Sequence, residues 1–415
     1  MSESYEVIVI GGGAAGMMAA GRAAERGKRV LLLERNKRLG EKLRISGGGR
    51  CNIINAEPEE RKLLARYGKA EQFLYSAFSQ FGVADTFRFF EAHGLPLKVE
   101  ATNRAFPATE RATDVVNTLR AYLKEGRVVV RTGAAVTAIE SGVGESGLIR
   151  GVATKEGTYT ADSYILATGG LSHPETGSTG DGFTWLRTLG HAVEKPTPTI
   201  VPLKVRETWV REVAGVTIPE AKVTFFVQGK KKFSRTGPVL FTHFGVSGPT
   251  ILNAAGQVAD LLHEGTVEAR IDLYPDMDLG ILDRHLTDVF DQHKNKLLRN
   301  VLKDLVPSGL VEMLMSFVPG IDADKKVHSV LREERRQLAE LLKGLTLTVD
   351  GLMGFERAVV ADGGLTLADI DMRTMRSKKY GNLFVTGDLL HITRPSGGYS
   401  LQLCWTTGFV AGENA

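Results

Sequence analysis

The opening 35 residues restrict the fold more than any other stretch. A short β-branched run, Tyr5 to Ile10 (YEVIVI), stops at Gly11-Gly12-Gly13; an Ala- and Met-rich stretch follows to about Arg26, and Lys28 to Arg35 (KRVLLLER) is again apolar. This order predicts a buried strand, a tight turn, a closely packed helix and a second buried strand, the start of a doubly wound α/β sheet. Gly11-x-Gly13-x-x-Gly16 opens the helix, and Glu34 ends the second strand 18 residues after Gly16. Gly11 permits the turn, Gly13 lets the backbone approach a pyrophosphate, and Gly16 lets helix and strand pack closely. The helix start, with Ala14 and Ala15 in its first turn, offers free N–H groups and a positive dipole end to phosphates. Glu34, beside Arg35, suits a ribose diol. Dinucleotide binding is the expectation.

Mostly helical periodicity runs from about Glu57 to Lys124, with short strands at Val128–Arg131, Ala135–Ile139, Leu148–Thr154 and Ser163–Ala167. After Gly190 proline-punctuated, β-rich segments run from Thr197 to about Asp272, and from Leu279 to Leu342 apolar residues recur every three to four positions. Leu383–Thr386 (LFVT) returns as a buried strand before Gly-rich turns and a last helix through Val410. The expected division is 1–190 for the first part of a nucleotide-binding domain, 191–275 for an inserted β domain, 276–343 for a helical insert, and 344–415 for the return.

Glycine, at 47 of 415 residues, is about 11% against a usual ~7%, so local geometric work is expected of it. The charge balance, 52 basic against 48 acidic residues, is only mildly positive and is no nucleic-acid signature by itself. Two cysteines, Cys51 and Cys404, exclude a disulfide framework and a four-ligand zinc site, and no metal site is expected. Glu3 and Glu6 stand where a signal peptide needs basic residues, and the longest charge-free early stretch, Val7 to Gly21, is too short to span a bilayer. A cytoplasmic protein without a membrane partner is the expectation; oligomeric state is left open.

Several later segments place small residues or charge where a dinucleotide needs them. Tyr164–Gly170 (YILATGG) is a strand ending in Ala167, Thr168, Gly169 and Gly170; Gly387-Asp388 sets a carboxylate at another strand end; Gly397-Gly398-Tyr399-Ser400 opens the last helix, whose N-terminus suits the negative charge of a reduced flavin. Lys42–Asn55 (KLRISGGGRCNIIN) holds three consecutive glycines able to form an anion-binding nest, with Arg50 as added charge.

Lys42–Asn55, with Phe106-Pro107, Ala167–Gly170, Thr176–Gly182 (TGSTGDG), Phe241–Pro249 (FTHFGVSGP) and Gly397–Gln402 (GGYSLQ), resembles the BaiN/RdsA, or YhiN-like, family of FAD-dependent oxidoreductases over essentially the whole chain. The resemblance implies an α/β fold in which a Rossmann-like FAD-binding domain carries an inserted β-barrel-like domain and a small helical domain. It implies FAD bound through Gly11, Gly13, Gly16, Glu34, Gly387, Asp388 and Gly398. The full expected cofactor set adds Ala14, Ala15, Arg35, Lys42, Arg44, Ser46, Gly48, Gly49, Arg50, Cys51, Asn52, Ala135, Val136, Ala167, Thr168, Gly169, Gly170, Gly397, Tyr399 and Ser400. One departure stands out. Between Gly387 and Gln402 this chain reads GDLLHITRPSGGYSLQ, so His391, Arg394 and Ser400 replace the expected neighbours in an acidic run.

Candidate catalytic residues are Cys51, His173, His391 and Tyr399. Cys51 is either a proton donor beside the flavin or a packing cysteine, and Cys404 beside Trp405 reads as core. His173 either faces the ring or sits in a surface turn; the same alternatives hold for His391, while His243 reads as structural. No second GxGxxG follows a later strand and there is no CxxC, so the electron donor is either a transiently docked NAD(P)H, a carrier, or the substrate itself. Lys230, Lys231, Lys232 and Arg235 surround Phe233 on an expected hairpin, which is either a solvated face or an RNA contact. Three functions compete: reduction of a uridine in large-subunit ribosomal RNA to dihydrouridine, as the resemblance implies for part of the family; oxidation or reduction of a small amine or enone; and a non-catalytic flavin scaffold.

Overall fold

The computed structural model describes residues 4–142, 147–318 and 320–415; Glu3 lies outside them. The chain forms two compact units, Met1–Thr197 with Val359–Ala415, and Pro198–Ala358. In the first, five strands form a parallel sheet in the order Leu383–Val385, Ser163–Leu166, Val7–Ile10, Val30–Glu34, Val129–Thr132. The central strand Val7–Ile10 is apolar at every position because a parallel sheet covered on both faces buries both sides of each strand: Val7, Ile8, Val9 and Ile10 are at most 3% exposed. The helix Ala14–Glu25 packs against the last helix, Tyr399–Asn414, through small residues. A Cβ on Gly408 would stand 2.5 Å from the Ala15 carbonyl oxygen, and one on Gly412 2.4 Å from that of Ala19. Part of the glycine excess therefore serves this helix contact.

The second unit is a closed six-stranded barrel with helices on one core. Its sixth strand is Leu345–Leu352, which pairs with Val267–Asp272 and with Leu203–Val205. The helices between Leu279 and Lys343 share the apolar cluster of the barrel. The structure thus shows one inserted unit holding both barrel and helices, and the chain re-enters the first unit at Val359, after the closing strand, where the sequence suggested 344. Among the described residues, no helix is long and apolar enough to cross a membrane.

Candidate flavin site

The first turn is built as its glycines require. Gly11 has φ +107°, and a Cβ there would meet the Ala167 carbonyl oxygen at 2.4 Å; one on Gly16 would meet that of Gly11 at 1.8 Å. Gly13, by contrast, faces open space within 4 Å and caps the helix whose first turn holds Ala14 and Ala15. Glu34 is 7% exposed and accepts from the backbone N–H of Gly12 (2.6 Å) and Asn36 (2.7 Å). Each carboxylate oxygen keeps a lone pair for a ribose hydroxyl. Burial raises the Glu34 pKa, against the two N–H donors that lower it. The Ala134 N–H donates to the Glu34 carbonyl (2.9 Å), which sets Ala135 and Val136 beside the end of this strand. Arg35 turns away to Asp181 (2.6 Å) and Thr179.

The other strand ends converge on the same turn. Gly387 (φ +63°) would place a Cβ 3.1 Å from that of Ala15, and its N–H donates to Thr407 Oγ1 (3.0 Å). A Cβ on Gly170 would lie 3.2 Å from the Asp388 carbonyl oxygen; one on Gly169 (φ +74°) would lie 2.8 Å from Ser178 Oγ and 3.8 Å from Lys42 Nζ. Lys42 donates to Ser172 Oγ (3.2 Å) and stands 4.0 Å from the Asp388 carboxylate. Enclosure pushes the Lys42 pKa down, with Asp388 opposing. Thus Ala15, Ala167–Gly170, Lys42 and Gly387-Asp388 form one cradle.

The start of the last helix is pinned to the Lys42–Asn55 segment. The Asn55 amide donates to the Gly397 carbonyl (3.1 Å), Trp405 Nε1 donates to the Ile53 carbonyl (3.0 Å), and Asn52, with its amide turned to satisfy its neighbours, accepts from the Gly398 N–H (3.0 Å). Tyr399 is buried edge-on against Tyr67 (5.9 Å). Ser46 closes its own turn on the Leu43 carbonyl (2.7 Å), and Gly48 and Gly49, at φ +67° and +87°, have open space beside them.

One expectation changes, for Arg50, and for Cys51 one of two open alternatives fits better. Arg50 does not reach for an anion: its guanidinium pairs with Glu100 (2.5 Å) and Glu110 (3.1 Å) and lies 4.2 Å over the Phe106 ring. Cys51 is fully buried and burial pushes its thiol up to about 12, so it exchanges no proton near neutrality and fits the packing reading. His173 sits in a turn at φ +51° with its ring on Glu175 (2.8 Å), which fits the surface-turn alternative. His391 is half-buried, its backbone N–H donating to the Leu365 carbonyl (2.9 Å).

Arg394, singled out in the sequence only as a departure from the expected acidic run, was not among the expected site residues. It is 3% exposed, donates to Ser400 Oγ (3.0 Å) and to the Ile392 carbonyl (2.5 Å), and pairs with Asp388. Its signals were that departure and its place between two Gly-rich turns. Cys404, expected in the core, is buried but also borders this cluster: a Cβ on Gly387 would lie 3.4 Å from its sulfur.

The HI0933-like protein Rossmann domain family matches residues 5–414. The chain belongs to this family. As a member it shares a Rossmann-like FAD-binding fold and the class of FAD-dependent oxidoreductases. It is 28% identical over 410 residues to a 3-dehydro-bile acid delta(4,6)-reductase of Clostridium scindens, covering 98% of each chain. It is also 28% identical over 418 residues to a ribosomal RNA dihydrouridine synthase of Escherichia coli, covering 99% of this chain and 98% of that one. Among solved structures, a 3-ketosteroid delta1-dehydrogenase from Sterolibacterium denitrificans shares the fold, with a TM-score of 0.57 at 13% identity over 99% of both chains.

The residues of this family member fit a flavin dinucleotide. Thr168 Oγ1 and Arg44 Nε are buried without a partner among the described residues, and the backbone lies open at Gly13. Unpaired buried polar atoms are costly, and an anionic, hydroxyl-rich ligand supplies what they lack.

Proposed function

We propose that the protein reduces a carbon–carbon double bond conjugated to a carbonyl, and that its substrate is a uridine of large-subunit ribosomal RNA, saturated to dihydrouridine. The observation that carries this reading is the equal, whole-length similarity to a delta(4,6)-reductase and a dihydrouridine synthase, whose names share one chemistry, hydrogen added across an electron-poor C=C. Bound reduced flavin supplies the hydride equivalent. In this reading Glu34 holds the ribose, the N–H groups after Gly13 hold the pyrophosphate, and Lys42, Thr168 and Asp388 order the remaining polar atoms. A proton must reach the second carbon. With Cys51 locked as a buried thiol, Tyr399 packed on Tyr67 and His173 held by Glu175, His391 is the acid proposed here. NAD(P)H, docked transiently, is the proposed donor of electrons to the flavin.

RNA is favoured by the hairpin between Thr217–Val227 and Lys230–Thr242, where Lys230 and Lys231 stand exposed at the tip. Phe233 does not offer a free stacking face, since it stacks on Phe225 (4.7 Å) and carries Arg235 above it (5.1 Å). Backbone charge, not base stacking, is therefore the proposed contact. The similarity to the bile-acid reductase supports a second reading, a small apolar enone as substrate.

Mass spectrometry of large-subunit rRNA nucleosides from a deletion strain is the test. The expected result is loss of one dihydrouridine, restored by the wild-type gene and not by His391→Gln. Unchanged nucleosides, together with flavin reoxidation by a steroid enone, would establish the second reading instead.

A further inference from the structure

Arg394 is a fully enclosed arginine that pairs with Asp388 of the flavin cradle and reaches from it to the start of the last helix. Its side chain is 1% exposed. Nε donates to Ser400 Oγ (3.0 Å), Nη1 to the Ile392 carbonyl (2.5 Å), and Nη2 pairs with one oxygen of Asp388. The other oxygen of Asp388 faces Lys42 Nζ at 4.0 Å. Ser400 lies in the first turn of a 16-residue helix, and Gly398 precedes it at φ +101°. Arg394 therefore ties the Gly387-Asp388 strand end to the start of the last helix, and does so across the turn that carries Gly397 and Gly398.

The charges do not cancel. Arg394 and Lys42 set two basic groups against the single carboxylate of Asp388; the Lys42 side chain keeps 28% exposure and faces that carboxylate, which opposes the effect of enclosure on its charge, and the positive end of the helix adds to them. Glu175, which also acts on Lys42, has a side chain 58% exposed, so water screens its negative charge from the enclosed cluster. Neighbouring Cys404 is a buried thiol and contributes no charge. In a poorly solvated site an excess positive charge favours the more anionic form of a ligand.

We propose that Arg394 is a positioning residue that, through Asp388, holds the flavin cradle at a net positive charge and so favours the reduced, anionic flavin over the oxidised one. The proposal rests on the flavin reading above. It concerns the potential of the bound cofactor and holds for either substrate.

The test is the midpoint potential of bound FAD, measured by reductive titration against a reference dye, together with FAD affinity from visible absorbance. Arg394→Gln keeps hydrogen-bonding capacity and removes one positive charge. It is expected to weaken binding of reduced relative to oxidised flavin about tenfold, a downward shift of about 30 mV for a two-electron couple. Asp388→Asn removes the negative charge and is expected to shift the potential upward. The double variant is expected to return the reduced-to-oxidised affinity ratio to within about threefold of wild type, although absolute FAD affinity stays low. Arg394→Lys keeps the charge without the fork and should keep the potential while losing affinity. A merely structural role would move both single variants in the same direction or leave the potential unmoved, and either result overturns the proposal. If Arg394→Gln does not fold, Asp388→Asn alone decides: no upward shift overturns it. Failure of the wild-type protein to bind FAD would instead overturn the flavin reading itself.

Discussion

The side-chain amide of Asn55 donates to the backbone carbonyl of Gly397 at 3.1 Å, joining segments 342 positions apart in sequence. Beside it, Gly398 packs so closely that a Cβ would stand 2.3 Å from the Ile54 carbonyl carbon, at a φ of +101° that L residues avoid. Gly398→Ala must therefore open the contact and bear backbone strain of about 1–3 kcal/mol. It is expected to lower the melting temperature by several degrees and to release flavin during gel filtration. Gly190→Ala is the control, with φ +79° but nothing within 4 Å of the new Cβ; an equal flavin loss there would remove the case for the close contact.

Both cysteines are free and buried, and burial pushes each thiol up to about 12. The thiolate is the reactive form, so a disulfide reagent at pH 8 is expected to titrate no thiol in the native protein and two after denaturation. Cys51→Ala should leave turnover within about threefold of wild type, in keeping with a packing role. A fast single-thiol reaction in the native state would contradict this.

The sheet was legible in the sequence because its inner strands, buried on both faces, carry continuous apolar runs, Val7–Ile10 stopping at Gly11 and Tyr164–Leu166 leading to Gly169-Gly170. Barrel closure was not. Leu345, Leu347 and Val349 alternate inward as a strand should, but their partners lie at Val267–Ile271, across the whole helical segment, and no local pattern names a distant partner. The same reason separates Arg50 from Arg394. Arg50 sits in a glycine-rich run that suits an anion, yet Glu100 and Glu110, 50 and 60 positions away, claim it. Arg394 carries no motif, and only folding shows it on Asp388.

Glu34 holds the buried Gly12 N–H and the part-buried Asn36 N–H, and Glu34→Ala would orphan both, at about 1–3 kcal/mol for the buried one and less for the other. Chemical denaturation of the apoprotein should show this loss, with FAD affinity falling as well. The pH dependence follows from the sign of its shift. Burial raises its pKa above the ordinary 4.5, so the folded state favours the protonated acid. That contribution is complete below 4.5 and is lost as pH rises through the raised value. Relative to Glu34→Gln, wild-type stability should decline across that window; a flat difference would mean the two N–H donors balance burial, and a rise that they outweigh it.

His191 predicts the opposite dependence. It is 5% exposed, with Nε2 on Ser377 Oγ (2.8 Å) and Tyr380 5.8 Å from its ring. Burial, aided by Lys379 and opposed by Asp369, pushes its pKa below 6.5. The neutral ring is thus favoured in the fold, and its contribution is present above 6.5 and lost as pH falls through the depressed value. Melting temperatures should fall between pH 7.5 and pH 5.5, less steeply in His191→Gln. Parallel curves for the two proteins would assign the acid sensitivity elsewhere.

The hairpin lysines differ in how free they are. Lys232 pairs with Glu264 (2.5 Å) and Arg235 bonds Gln257 (2.6 Å), so each must give up a partner to meet a phosphate. Lys230 and Lys231 are exposed at the tip. Each phosphate contact to single-stranded RNA contributes about 0.7 to the slope of log affinity against log salt. Lys230→Ala with Lys231→Ala should therefore lower the slope for an rRNA fragment by about 1.4, and Lys232→Ala by less than half of that. Equal slopes in all three proteins would show that RNA, if bound, meets another face, and would return the tip lysines to the role of a solvated turn.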